Sequence, residues 1–173
     1  MIRRFFCAFL ALLLMLGGAA KASEGDFYGE LVRLHVIAAD DSEEEQALKL
    51  KVRDCVLEAV RPMVAECKSP EDAYAILNEN LEAIEAAAQS CLMENGSANE
   101  VCAMMGVFEF PEKEYGGLTV PAGEYRALRV VIGAGEGQNW WCVLYPALCR
   151  TGEGEMYSIL AAWLRSWLGG EGE

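Results

Sequence analysis

His35 is the only histidine of the chain, and its imidazole is the side chain with the clearest capacity for catalysis. Beside a cysteine thiol, an imidazole can act as a general base and activate the sulfur as a nucleophile. Such a pair also needs a group that orients the imidazole, and Asp40, Asp41 or Asn139 could serve. A cysteine–histidine hydrolase is therefore one alternative. The other is a histidine that makes only structural hydrogen bonds on the polar face of a strand.

Metal and nucleotide sites find little support in the sequence. A single histidine without any Cys-x-x-Cys pair argues against a zinc site. The glycine-rich segment 133–137 resembles a phosphate loop, but a predicted strand follows it, whereas phosphate binding needs the N-terminal amides of a helix. We interpret this segment as a hairpin loop, and we predict no metal, no cofactor and no small-molecule substrate.

Two adjacent tryptophans, Trp140 and Trp141, follow Asn139 on a predicted strand. Neighbouring side chains on a strand point to opposite faces, so one ring can enter the core while the other stays outside. Tryptophan is a preferred interface anchor, which favours a binding surface here. The alternative is that the helices cover one ring and the C-terminal helix the other. Cys142 and Cys149 lie close in sequence with a proline between them, so a turn could bring them to disulfide distance.

The elements that must position these residues follow from local patterns. Residues 31–38 alternate between apolar and polar types, which predicts a half-buried strand with Arg33 and His35 on its polar face. Ser42 begins a capping box that predicts a helix over residues 43–65.

A second helix is predicted to begin after Ser69 and to end at Asn95-Gly96. Three strands are predicted after it, over residues 101–110, 125–132 and 140–145. The apolar run from Leu128 to Ile132 predicts a central strand. This order predicts one α+β domain, with an antiparallel-type sheet covered by a two-helix pair.

Residues 1–22 are typical of a secretory signal. Arg3 and Arg4 precede an apolar run, and small residues stand at Ala20 and Ala22, so we predict cleavage after Ala22. An uncleaved membrane anchor is the alternative, although the run is short for a membrane span. The predicted domain covers residues 23–150.

The net charge of the chain is −13, from 14 basic and 27 acidic residues. The predicted signal contains three cations and no acid, so the remainder has a net charge of −16. Such an acidic chain is not typical of a nucleic-acid-binding protein. Export would permit disulfides, and an even number of cysteines follows the signal. They are Cys55, Cys67, Cys91, Cys102, Cys142 and Cys149.

Residues 151–173 have a separate character. An acidic, glycine-rich linker precedes a predicted amphipathic helix with Trp163 and Trp167 on its apolar face. This helix could dock on the domain's own sheet, bind a partner's groove or lie in a membrane interface.

Two blocks of residues, within residues 31–149, resemble the stage II sporulation protein R family of endospore-forming bacteria. The first block contains Arg33, His35 to Ala38, Asp41-Ser42, Glu44, Gln46, Leu48-Lys49 and Val52 to Asp54. The second contains Phe110-Pro111, Lys113, Tyr115-Gly116, Pro121 to Tyr125, Ala127, Ile132-Gly133, Gly137, Asn139 to Leu144, Pro146 and Leu148-Cys149. The chain departs from the family pattern at Ala39, Asp40 and Ala147.

The resemblance implies an exported signalling protein rather than an enzyme. Such a protein would be secreted from the forespore into the space between the forespore and mother-cell membranes. There it would activate a membrane-embedded aspartic protease that processes the sigma-E precursor in the mother cell. We expect Asp41, Ser42, Asn139, Trp140 and Trp141 to bind the extracytoplasmic part of that protease. The alternatives are an exported cysteine–histidine hydrolase acting on the cell envelope and a structural envelope protein.

Overall fold

The computed structural model describes residues 28–115 and 118–146, which form a four-stranded sheet, a two-stranded sheet and three longer helices. In chain order the elements are β1 (Val32–Ile37), α1 (Glu43–Val64), α2 (Pro70–Glu79), α3 (Leu81–Glu94), β2 (Val101–Phe110), β3 (Lys113–Tyr115), β4 (Leu118–Val120), β5 (Gly123–Ile132) and β6 (Asn139–Tyr145). The predicted signal peptide and the predicted C-terminal linker and helix lie outside the described residues.

The main sheet has the strand order β2-β5-β1-β6. Strand β1 pairs in parallel with β5, whereas its pairing with β6 and the pairing of β2 with β5 are antiparallel. The α+β prediction is therefore confirmed, with a mostly antiparallel sheet that contains one parallel pair. Strand β5 lies between two neighbours, as its apolar run predicted.

Both predicted helix starts are confirmed by their caps. Oγ of Ser42 accepts a hydrogen bond from the amide of Glu45 at 3.3 Å, and Oγ of Ser69 accepts one from the amide of Asp72 at 3.0 Å. These bonds satisfy amides that have no partner within the helix. Helix α1 continues through Pro62 to Val64, so that proline lies in the last turn.

The second predicted helix is divided into α2 and α3 at Asn80. The Asn80 side chain donates to the carbonyl of Ile76 at 2.7 Å, and its backbone has a φ of −109° and a ψ of 16°. An asparagine side chain that bonds to nearby backbone competes with the regular helix. Three helices therefore cover the sheet, where the sequence predicted two.

The core has two parts, one on each face of the main sheet. The larger part lies between the helices and the inward residues of β1, which are Val32, Leu34 and Val36. The smaller part lies on the opposite face and includes Phe110, Val120 and Tyr125. Both faces of β1 are therefore covered, and the prediction of a half-buried strand was wrong.

The segment 133–138 joins β5 to β6 and is called the crossing loop here. Because β1 lies between these two strands, the loop passes over the end of β1, so the prediction of a hairpin was wrong. The amide of Gly137 donates to the Ala38 carbonyl at 3.0 Å, and that of Glu136 donates to the Ala39 carbonyl at 3.1 Å. A Cβ atom on Gly137 would overlap the Asp40 carbonyl. The glycine therefore serves this close backbone approach.

Within residues 28–115 and 118–146, no helix is long and apolar enough to cross a membrane.

Candidate functional site

Four side chains occupy paired positions across the main sheet, on the face away from the helices. They are Met104, Arg129, His35 and Trp141, contributed in that order by β2, β5, β1 and β6. We call them the cross-sheet row. Register thus brings together residues that lie more than a hundred positions apart in the sequence, such as His35 and Trp141.

Both ring nitrogens and one ring face of His35 contact neighbouring side chains. Nε of Arg129 donates to Nδ1 of His35 at 3.3 Å, and Nε2 of His35 lies 2.8 Å from Oδ1 of Asn139. Because Nδ1 accepts, Nε2 carries the proton and donates to Asn139. The Trp141 ring stacks on the imidazole, with centroids 3.7 Å apart.

Burial keeps this imidazole neutral. His35 is 3% exposed, and burial lowers its pKa to about 4, with smaller contributions from the positive charges of Arg129 and Arg33. The Asn139 hydrogen bond acts in the opposite direction. Desolvation dominates because a charged imidazolium would lose water without gaining an anionic partner.

This arrangement leaves His35 without a free ring nitrogen for a cysteine thiol. Its two nitrogens are engaged by Arg129 and Asn139, while Cys142 on the adjacent strand packs into the helix-side core. Among the residues that the structure describes, no group of three or more histidine, cysteine or acidic side chains could hold a metal ion. The geometry therefore favours the hydrogen-bonding role of His35 over the hydrolase alternative.

Arg33, two residues earlier on the same face, is fully buried among aromatic rings. Its guanidinium carbon lies 4.1 Å from the centroid of Phe110 and 4.8 Å from that of Tyr125. Nη2 donates to the hydroxyl of Tyr115 at 2.6 Å, while Nε and Nη1 have no hydrogen-bond partner in the described part of the chain. Burial lowers the pKa of Arg33. Arg33 thus anchors β3 to the main sheet.

The two tryptophans lie on opposite faces, as expected from strand geometry. Trp140 packs against the helix-side core, with the guanidinium carbon of Arg53 4.8 Å from its ring centroid. Trp141 packs on the other face, against His35 and Phe110. Both rings are half-buried. Each therefore has structural contacts and also retains some accessible surface.

Asp41, Ser42 and Asn139 are exposed and lie at the end of the sheet where β1 ends and β6 begins. Oδ1 of Asp41 accepts from the amide of Gln138 at 2.7 Å, which joins the turn after β1 to the crossing loop. We call Asp41, Ser42, Asn139 and the crossing loop the loop end. The structure thus brings together three of the five predicted binding residues, with the tryptophans next to them on β6.

A buried lysine on α1, not among the predicted binding residues, supports the loop end. Lys49 is 5% exposed, and its ammonium donates to Oε1 of Gln46 at 2.6 Å and to the carbonyl of Gln138 at 2.9 Å. Burial lowers its pKa, and the charge of Asp41 opposes that effect. Helical spacing indicated this position, because Lys49 lies three residues before Val52 and seven before Val56, on the buried stripe of α1.

Cys142 lies on β6 with its side chain buried. Its predicted disulfide partner, Cys149, lies outside the described residues. The pairing therefore stays a prediction.

Comparison with known proteins gives two matches. Residues 28–154 match the family model described as "Stage II sporulation protein R". The chain is also 36% identical over 120 residues to the stage II sporulation protein R of Bacillus subtilis (strain 168), an alignment that covers 69% of this chain and 54% of that protein. The chain thus spans about half the length of this curated relative. No solved structure matches the chain. Because the family model covers most of the chain, this chain belongs to the stage II sporulation protein R family.

Proposed function

We propose that this chain acts in sporulation as an exported signalling protein that activates a membrane-embedded aspartic protease. The protease would then process the sigma-E precursor in the mother cell. Family membership supports the role in sporulation. The signal-like residues 1–22 support the proposal of export, and the family resemblance supports the proposal of protease activation.

The observation that carries the proposal is the exposed loop end, whose segments are joined by hydrogen bonds. Asp41, Gln138 and Lys49 connect three separate segments there through hydrogen bonds between 2.7 and 2.9 Å long. A surface that is ordered before binding loses less conformational entropy when a partner docks. The loop end therefore suits recognition of another protein better than it suits chemistry on a small molecule.

The position of β6 adds the tryptophans to this surface. Within the described residues β6 has a strand neighbour on one side only, which is β1. Trp140 and Trp141 flank this edge from the two faces of the sheet, and Asn139 lies at the start of the same strand. A partner segment along this edge could contact both rings, and aromatic residues at such positions contribute strongly to binding.

The test is co-expression of the exported chain with the candidate protease and the sigma-E precursor in a bacterium that does not sporulate. We expect precursor cleavage only when all three proteins are present. Asp41→Ala should reduce cleavage about five- to thirtyfold, because loss of a hydrogen bond and an interface contact costs about 1–2 kcal/mol. Trp141→Ala should reduce cleavage further, although it also removes packing around His35.

Glu109→Ala is the matched control for Asp41→Ala. It removes one exposed carboxylate at the opposite end of the sheet, where Glu109 pairs with Glu124. Cleavage should be unchanged in this variant. If Asp41→Ala and Glu109→Ala behave alike while both proteins remain folded, the loop end is not the binding surface. If the wild-type chain triggers no cleavage, protease activation itself is refuted.

A further inference from the structure

Two cysteines outside the proposed binding surface lie face to face between helices. The sulfur of Cys55 on α1 lies 2.6 Å from the sulfur of Cys91 on α3, and both are free thiols. A covalent sulfur–sulfur bond is about 2.05 Å long, so the two atoms need to approach by only about 0.6 Å to bond. Simple core packing does not require this approach, because each thiol could pack against carbon atoms instead.

The surroundings of the pair admit a reagent from one side. A shallow groove of about 300 Å³ opens above the sulfurs and is lined by Glu58, Ala59, Ala87, Ser90 and Glu94. Cys55 is half-buried, whereas Cys91 is 4% exposed. A reagent that enters the groove therefore reaches Cys55 first.

Cys91 is also a thiol that ionises with difficulty. Burial and the contact with Cys55 raise the pKa of Cys91 to about 12. Cys91 therefore stays a protonated thiol near neutral pH. Since the thiolate is the nucleophile in thiol–disulfide exchange, the more accessible Cys55 is the residue that reacts first.

We infer that Cys55 and Cys91 form a reversible disulfide that ties α1 to α3, with a small-molecule disulfide or a disulfide oxidoreductase as the oxidant. The Cys55 thiolate attacks the external disulfide, forms a mixed disulfide and releases one thiolate of the oxidant. The Cys91 thiol then loses its proton and attacks the Cys55 sulfur, which releases the second thiolate. Two protein thiols are oxidised to one disulfide, and the external disulfide is reduced to two thiols.

A metal-binding role for the pair is disfavoured by its ligand count. Stable zinc sites use four ligands, and no set of three or more suitable side chains comes together in the described residues. The groove offers carboxylates at Glu58 and Glu94, but they do not complete such a set. Oxidation needs only the two sulfurs, so it is the chemistry that this geometry favours.

Peptide mapping tests the inference directly on the purified full-length chain. The reduced protein is incubated with oxidised glutathione, and its remaining thiols are alkylated. It is then digested, without reduction, by an enzyme that cleaves after glutamate. This digestion places Cys55 in residues 46–58, Cys91 in residues 86–94, Cys67 in residues 67–71 and Cys102 in residues 101–109. We expect one new species that joins 46–58 to 86–94. Alkylated Cys55 and Cys91, a glutathione adduct that persists on Cys55, or linkage of either cysteine to another peptide would overturn the inference.

Thermal unfolding gives an independent readout. The disulfide would close the chain loop between Cys55 and Cys91. It should therefore raise the midpoint temperature of unfolding by about 10 °C relative to the reduced protein. Cys55→Ser and Cys91→Ser should each abolish this oxidation-dependent rise. Cys102→Ser, which changes an exposed cysteine on β2, should retain it. A rise that survives in Cys55→Ser would contradict the assignment even if that variant is less stable overall.

Discussion

Arg129 donates a hydrogen bond from Nε to Nδ1 of His35 at 3.3 Å, across the only parallel strand pair of the described sheet. This bond assigns the proton of the neutral imidazole to Nε2, which in turn donates to Asn139. The guanidinium carbon of Arg129 lies 3.8 Å from the centroid of Phe108, so an aromatic ring covers the cation. His35 therefore links a partly buried cation to the exposed loop end.

The burial of His35 predicts a pH dependence of stability. The pKa of His35 is about 4 in the folded protein against a usual value of 6.5, so the unfolded state binds a proton more readily. Stability is therefore fully present above about pH 6.5 and is lost as the pH falls toward 4. When the pH falls from about 7.5 to about 4.5, the titration of His35 should lower the free energy of unfolding by about 2 kcal/mol.

Urea unfolding of the wild type and of His35→Gln at both pH values measures this effect. The glutamine amide can still accept from Arg129 and donate to Asn139, but it does not titrate. The carboxylates contribute equally in both proteins, so the difference between their pH dependences isolates His35. Equal losses of stability in the two proteins would show that His35 does not resist protonation in the folded state.

The unsatisfied nitrogens of Arg33 predict an unusual tolerance to an apolar substitution. Arg33→Met keeps most of the volume among Phe110, Tyr115 and Tyr125 and removes a buried charge, so we expect the free energy of unfolding to change by less than about 1 kcal/mol. Arg33→Ala leaves a cavity and should cost about 3 kcal/mol. Chemical denaturation of both variants measures the contrast. A methionine variant as unstable as the alanine variant would mean that the guanidinium itself stabilises the fold.

The close approach of Gly137 to Asp40 predicts that this glycine is required for the loop end. In Gly137→Ala the new methyl group would overlap the Asp40 carbonyl, so the crossing loop must shift, at a cost of about 1–3 kcal/mol. Thermal unfolding should show the loss, and precursor cleavage should fall because Asp41 and Asn139 are displaced. Gly29→Ala is the control, because a Cβ atom there meets nothing within 4 Å. Equal melting temperatures for the two variants would contradict the prediction.

The short spacing of Cys142 and Cys149 predicts a disulfide at the end of β6. Digestion after glutamate leaves both residues in one peptide, residues 137–153, so an internal disulfide makes this peptide lighter by two hydrogen atoms and resistant to alkylation. Mass spectrometry with and without reduction measures the difference. Alkylation of both cysteines in unreduced protein would exclude the bond.

Local patterns in the sequence determined most of the secondary structure. The helix starts at Ser42 and Ser69, the end of α3 near Gly96 and the bounds of β2 agree with the structure, since caps and alternation involve residues a few positions apart. The family membership was also present in the sequence, in strings such as those around Tyr125 and Trp141. The short strands β3 and β4 were missed because three residues are too few to show a period.

Only the tertiary structure decided what covers β1, how the crossing loop runs and which side chains meet. Arg33 and His35 follow a polar alternation, yet β3, Phe110 and Trp141 bury them from elsewhere in the chain. Cys55 and Cys91 each fit an apolar helical stripe, and their proximity depends on how α1 packs on α3. Such contacts depend on strand order and helix packing, which join segments far apart in sequence and leave no local periodic signal.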